Sequence, residues 1–166
     1  MTTHRVWVYD DNVNTDVIFP GKYTYTLKTP DEIAAHALED LDPRFTAEAQ
    51  PGDVIVAGRN WGCGSSREQA VTALKYRGVT VIVAASFSGL YARNCINQGV
   101  LPIICPQARE LLSTGDTLDL DLAGGTLLIK GQRFAFARLS PSVQAIYEAG
   151  GLLPMLQRRF SDQGAP

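Results

Sequence analysis

A buried-strand pattern, Asp53-Val54-Ile55-Val56-Ala57, runs without a break into Gly58-Arg59-Asn60-Trp61-Gly62-Cys63-Gly64-Ser65-Ser66-Arg67-Glu68. A helical pattern from Ser66 to about Tyr76 follows, stopped by Gly78. Val79 to Ala84 is a second apolar strand, Ser86 to Gln98 a second helix closed by Gly99, and Val100 to Ile104 a third strand. Strands that alternate with helices in this way predict a parallel sheet with right-handed crossovers. Open α/β sheets bind ligands beyond the carboxyl ends of their strands. The glycine-serine loop is expected there.

The flanking segments complete the outline. His4 to Tyr9 alternates and is rich in β-formers, and Asp10 to Gly21 is turn-rich. Tyr23 to Lys28 is polar and aromatic without helical period. Thr29-Pro30-Asp31-Glu32 combines an N-cap, a proline at the first helical position and a glutamate at the third. That helix is predicted to reach about Leu41, with Ile33, Ala37 and Leu41 on one face and His36 as a satisfied surface residue. Thr117 to Leu122, Thr126 to Ile129 and Arg133 to Phe136, joined by glycine turns, read as a β-meander. A short helix from Ser140-Pro141 to about Ala149, a helical turn from Leu152 to Phe160 and frayed residues 163–166 end the chain. The expected fold is α/β: one domain over residues 1–166, with a parallel β-sheet core, flanking helices and a C-terminal β-meander.

Composition excludes several classes. Hydrophobic residues make up 45%, which argues against disorder. A net charge of -2 with no Lys/Arg block argues against nucleic acid as a partner. No apolar run approaches the roughly 18 residues that cross a bilayer, so no membrane association is expected. The N-terminus shows no signal-peptide core. Three cysteines at wide spacing, Cys63, Cys95 and Cys105, argue against a disulfide framework and point to a reducing cytoplasm. With only His4 and His36 and no C-x-x-C, no metal site is expected on this chain. The cysteines are expected to pack as small apolar residues.

The loop holds the candidate chemistry. Gly62 and Gly64 let backbone approach a ligand, Ser65 and Ser66 supply hydroxyls, and Arg67 supplies a planar fork for a carboxylate or phosphate. A second reading stands beside this one. Ser65-Ser66-Arg67-Glu68 fits a capping box, with Ser65 as N-cap and Glu68 at the third helical position. The loop is not a Walker loop, because no lysine follows its last glycine. Arg67 stands where a dinucleotide fingerprint needs its third glycine, and no G-x-S-x-G elbow occurs.

Two segments in order, Asn14-Thr15-Asp16-Val17-Ile18 with Pro20-Gly21, then Gly58 to Glu68, resemble the small subunit of 3-isopropylmalate dehydratase, the counterpart of the swivelling domain of aconitase. Tyr91-Ala92-Arg93-Asn94-Cys95-Ile96-Asn97-Gln98-Gly99 is similar to the family as well. Homoaconitase small subunits share both motifs. The resemblance implies an aconitase-swivel-like fold and a hydro-lyase that moves a hydroxyl between adjacent carbons of a small carboxylic acid. It implies a large-subunit partner that carries a 4Fe-4S cluster, with no cofactor on this chain. Ser65 then matches the family's catalytic base, Asp16 an active-site aspartate, Arg67 the substrate-carboxylate clamp, and Ser66 and Gly64 its neighbours in the substrate loop. Serine is a base only as an alkoxide, so backbone N–H groups, the helix N-terminus and Arg67 are expected to stabilise it.

The loop from Gly21 to Lys28 is expected to meet the variable end of the substrate, with Tyr25, Leu27 and Lys28 as candidate readers. An isopropyl group suits Leu27 or a tyrosine ring, and a distal carboxylate suits Lys28. The resemblance implies 3-isopropylmalate in leucine biosynthesis first, with homoaconitate or a dimethylmalate as alternatives. A reading of another class is a non-catalytic module that binds a carboxylate or phosphate through the Gly62–Arg67 loop.

Overall fold

The structure is a computed structural model and describes residues 1–162. Four strands form the parallel core: β1 (Thr2–Tyr9), β2 (Val54–Ala57), β3 (Val81–Ala84) and β4 (Leu101–Ile104), ordered β4-β3-β2-β1. β2 and β3 are buried at every residue, as strands covered on both faces must be. The meander, β5 (Thr117–Asp121), β6 (Thr126–Ile129) and β7 (Gln132–Ala135), pairs antiparallel and extends the same sheet beyond β1 to seven strands. The predicted α/β architecture is therefore present, and the meander is continuous with the core sheet.

β1 joins the two halves. Its first residues, Thr2 to Arg5, pair antiparallel with β5, and Val6 to Tyr9 pair parallel with β2. Successive side chains point to opposite faces, and two cores result. Trp7, Tyr9, Ile55, Ala57, Ile82 and Ala84 face one; Val6, Val54, Val56, Val81 and Val83 face the other with Leu118, Leu120, Leu127 and Ile129 from the meander.

Helices cover the faces. α4 (Gln69–Tyr76) buries Ala70, Val71, Ala73 and Leu74, and α5 (Gly89–Gln98) ends at Gly99 in the left-handed region. α7 (Pro141–Glu148) has Ser140 as its side-chain cap, and α8 (Leu152–Asp162) is a full helix where the sequence suggested a single turn. Shorter helices are α1 (Thr15–Ile18), α2 (Pro30–Ala34), α3 (Pro43–Glu48) and α6 (Pro106–Leu111). α3 and α6 have only six residues each, too few to show a period.

Besides α5, which starts at Gly89 and not at Ser86, two helix boundaries differ from expectation. α2 begins with the expected Thr29–Glu32 capping box but ends at Ala34. Leu38 takes φ +58, and its N–H is drawn out of any helix to the carbonyl of Ile18 at 2.8 Å. Ile33 and Ala37 are buried as expected, whereas Leu41 is exposed. His36 bonds Glu39 and lies against the ring of Tyr23. The second boundary, at α4, bears on function. The expectation for residues 163–166 lies outside the described residues.

Candidate functional site

The two motif segments meet because β1 and β2 keep pairing after the strands end. Asn12 donates to the carbonyl of Arg59 (2.8 Å), Gly62 to that of Val13 (2.8 Å) and Thr15 to that of Cys63 (2.9 Å). Side chains lock the same seam. Arg59 forks onto Asp11 at 3.0 and 2.9 Å, and the Arg59 backbone N–H reaches the other carboxylate oxygen at 2.7 Å. These bonds, led by the backbone one, hold the Asp11 carboxyl below its ordinary range.

Tyr91 fixes the middle of the loop from behind. It is 2% exposed and donates its hydroxyl to the carbonyl of Ala70 at 3.0 Å. A Cβ on residue 62 would fall 2.1 Å from the Tyr91 ring, and φ there is +75, so glycine is required twice over. Asn94, one turn further along α5, donates to the carbonyl of Ser66 at 3.0 Å. The stretch from Tyr91 to Gly99 thus acts as a brace for the loop.

Ser65 does not cap a helix. α4 starts at Gln69, its N-cap position is Glu68, and no side chain caps it. Residues 65–67 form a connection without regular secondary structure instead. The capping-box reading fails because the Ser65 hydroxyl is used elsewhere: it accepts from Arg67 Nε at 3.0 Å and shares a hydrogen bond with Thr15 Oγ1 at 2.9 Å. The expected support from a helix N-terminus is replaced by these two contacts.

Arg67 is the hub. Nη1 donates to Thr24 Oγ1 at 2.9 Å, and Nη2 donates to the Asp16 carboxylate and to the carbonyl of Phe19 at 3.3 Å. With Nε on Ser65, four of five donors are occupied, and one N–H on Nη1 is left. The Arg67 side chain is 19% exposed, while Asp16 is 71% exposed. An incoming carboxylate can therefore take the free Nη1 donor and replace Asp16 at Nη2.

Of the expected residues, Asp16, Ser65 and Arg67 come together. Ser66 and Gly64 are exposed beside them, Gly64 at φ +96. The Gly21–Lys28 loop divides. Thr24 reaches Arg67, and Leu27 and Tyr23 pack half-buried against the core. Tyr25 is 89% exposed. Lys28 is exposed, and its backbone N–H joins the cap of α2 by donating to Glu32 at 3.2 Å. Thr15, Thr24 and Asn94 had been given no role. Each lies inside a segment already singled out, but only folding shows which hydroxyl or amide faces the serine loop.

The cysteines separate. Cys95 and Cys105 lie in different cores, and burial raises the pKa of both thiols. Cys63 is half-buried in the loop. Among the described residues no three His, Cys, Asp or Glu side chains converge as a metal site, and no helix is long and apolar enough to cross a membrane.

Residues 10–108 match the aconitase C-terminal domain. A 3-isopropylmalate dehydratase small subunit from Thermodesulfovibrio yellowstonii is 37% identical over 95% of this chain and 94% of its own. The chain belongs to the aconitase C-terminal domain family. A methanogen homoaconitase small subunit from Methanothermobacter thermautotrophicus is 44% identical over 90% of this chain and 86% of its own. The crystal structure of a 3-isopropylmalate dehydratase from Methanocaldococcus jannaschii superposes with a TM-score of 0.89 at 39% identity, covering 97% of this chain and 96% of that one. The matched region of this aconitase-family chain contains both loops and the Tyr91–Gly99 brace.

Proposed function

We propose that this chain is the small subunit of a hydro-lyase that isomerises a substituted malate by dehydration and rehydration, with 3-isopropylmalate as the substrate. The observation that carries the reading is the placement of the Ser65 hydroxyl 3.0 Å from Arg67 Nε, in a seam built from both family motifs. Related small subunits named for 3-isopropylmalate dehydratase support the substrate class. A cytoplasmic location is part of this reading, since three free thiols suit a reducing compartment.

The separated thiols of this chain do not fit an iron-sulfur cluster; on this reading a 4Fe-4S cluster sits on a large-subunit partner. Such a cluster, when bound there, supplies a Lewis acid toward the hydroxyl and one carboxylate of the substrate. This chain supplies the rest. Arg67 takes a second carboxylate through Nη1 and Nη2, which fixes the carbon next to that carboxylate beside Ser65. Ser65 Oγ, as the alkoxide, accepts the proton from that carbon as the C–H bond breaks, and the hydroxyl leaves the adjacent carbon with its bonding electrons. Rehydration returns proton and hydroxyl to exchanged carbons. Asp16 acts through Arg67: it occupies the fork before substrate arrives and keeps the guanidinium aimed. Ser66 and Gly64 border the bound carboxylate.

Leu27 favours the isopropyl reading, since a half-buried leucine offers an apolar surface at the loop. The homoaconitase relative at 44% identity keeps a second substrate open, with exposed Lys28 as partner for an added carboxylate. The test is the reconstituted pair assayed on both substrates. Ser65→Ala is expected to lower turnover about a hundredfold or more with little change in KM. Unchanged turnover overturns the assignment and favours a non-catalytic anion-binding module. Lys28→Ala is expected to spare 3-isopropylmalate; a selective loss on homoaconitate would transfer the substrate to that acid.

A further inference from the structure

Ser65 needs its proton removed and its negative charge held, and the structure shows a partner for that charge that the sequence did not. Thr15 is 1% exposed, yet its side-chain hydroxyl is pointed at Ser65 Oγ at 2.9 Å. That bond is the one side-chain hydrogen bond of Thr15 among the described residues. The position is rigidly set. Asn14 caps α1 by accepting from Val17 N–H at 2.9 Å, Thr15 N–H is anchored on the Cys63 carbonyl, and the Thr15 carbonyl accepts from Phe19 N–H at 3.0 Å.

We infer that Thr15 is a positioning residue which donates its hydroxyl to the Ser65 alkoxide. The inference rests on the reading of Ser65 as the base. Its logic is proton counting. While Ser65 keeps its proton, either hydroxyl can be the donor. Arg67 Nε cannot accept, so Ser65 Oγ is the acceptor in that contact. Once Ser65, which is exposed, has lost its proton to solvent water, only Thr15 has a hydroxyl proton left to share, and the bond must run from Thr15 Oγ1 to Ser65 Oγ. The alkoxide then receives two fixed donors, one from a cation and one from a buried hydroxyl. Fixed donors aimed at a developing charge cost no reorganisation when the charge forms. After Ser65 takes the substrate proton, its hydroxyl can turn to Thr15 Oγ1 and the same bond reverses, so the buried Thr15 oxygen stays paired throughout.

The test uses the reconstituted two-subunit enzyme. Thr15→Val keeps shape and removes the hydroxyl; it is expected to lower kcat about a hundredfold with KM nearly unchanged. Thr15→Ser restores the hydroxyl and is expected to recover most of the rate. Thr15→Ala removes it by a second route and should be as slow as Thr15→Val, with melting temperature recorded for each. In the Ser65→Ala background, Thr15→Val should add no further loss, since the two act on one charge. Full kcat in Thr15→Val overturns the inference. Equal slowing by Thr15→Ser and Thr15→Val also overturns it, because packing would then be the cause. If Ser65→Ala alone keeps its rate, the reading of Ser65 fails and the inference fails with it; a slow Ser65→Ala beside a fast Thr15→Val refutes Thr15 alone.

Discussion

Among the arginine–aspartate pairs around the parallel pairing of β1 and β2, two at opposite ends have their burial reversed. At the start, Arg5 meets Asp53 with side-chain exposures of 37% and 7%; beyond the other end, Arg67 meets Asp16 with 19% and 71%. In the first pair the acid is inside. Asp53 accepts from Arg5, from Trp7 Nε1 at 2.8 Å and from the Gln50 backbone at 2.9 Å, so its lone pairs are consumed by the fold. In the second pair the base is inside and its acid partner stands in water, where another carboxylate can replace it. The same ion pair is thus a staple where the anion is buried and an exchangeable contact where the anion is exposed.

The largest expected effect breaks the exchangeable pair. Arg67→Lys keeps the charge but loses the fork that reaches Ser65, Thr24 and Phe19 at once. In the reconstituted enzyme kcat/KM is expected to fall about a hundredfold or more, with a melting temperature close to wild type. Arg5→Lys, the matched change in the staple, should leave kcat/KM unchanged. Equal activity losses in the two variants would show that the pairs do not differ in kind.

The staple carries stability instead. Asp53→Asn leaves Arg5 without its charged acceptor and disturbs two further hydrogen bonds, from Trp7 Nε1 and the Gln50 backbone. The expected cost is about 1–3 kcal/mol in thermal or denaturant unfolding, with turnover intact. A variant as stable as wild type would remove Asp53 from the stabilising contacts.

Asp16→Asn is expected to do much less. Thr24, Ser65 and the Phe19 carbonyl still hold the guanidinium, and the lost ion pair is exposed on its acid side. Exposed pairs contribute about 0.2–1 kcal/mol, so kcat/KM should change by no more than about fivefold. A loss as deep as that of Arg67→Lys would make Asp16 a direct participant in the chemistry.

The sequence made the staple's strands plain and the site only half so. Val54-Ile55-Val56-Ala57 and Val81-Ile82-Val83-Ala84 are continuous apolar runs, and burial on both faces leaves few other states for them. Ser65 was ambiguous because S-x-x-E spells a cap as well as an active loop. The seam removes the cap reading: the backbone bonds of Thr15 to Cys63 and Gly62 to Val13 hold Ser65 away from α4, and such long-range pairing leaves no local pattern. The end of α2 was hidden for the same reason, since Leu38 answers to Ile18 and not to its own helix. Thr15 was visible as a letter in a motif, but its direction was not.

The smallest effect is one of pH, and comparing wild type with Asp53→Asn isolates it from the other depressed carboxylates, Asp11 among them. Burial alone would raise the Asp53 carboxyl, but the bonds from Arg5, Gln50 and Trp7 outweigh it and hold the group below its ordinary value. A group whose pKa is depressed by folding stabilises the fold fully above its unfolded pKa, near 4. That contribution is lost progressively as pH falls through the folded value, because the unfolded chain takes up the proton first. Asp53→Asn has no such proton to bind. The stability gap between wild type and Asp53→Asn should therefore be constant from pH 7 to about pH 5 and narrow steadily below pH 4. Urea unfolding of both proteins across that range measures it. A gap that stays constant down to pH 3 would mean that the Arg5–Asp53 contact gives no preference to the ionised carboxylate, and the staple would then owe its strength to shape and not to charge.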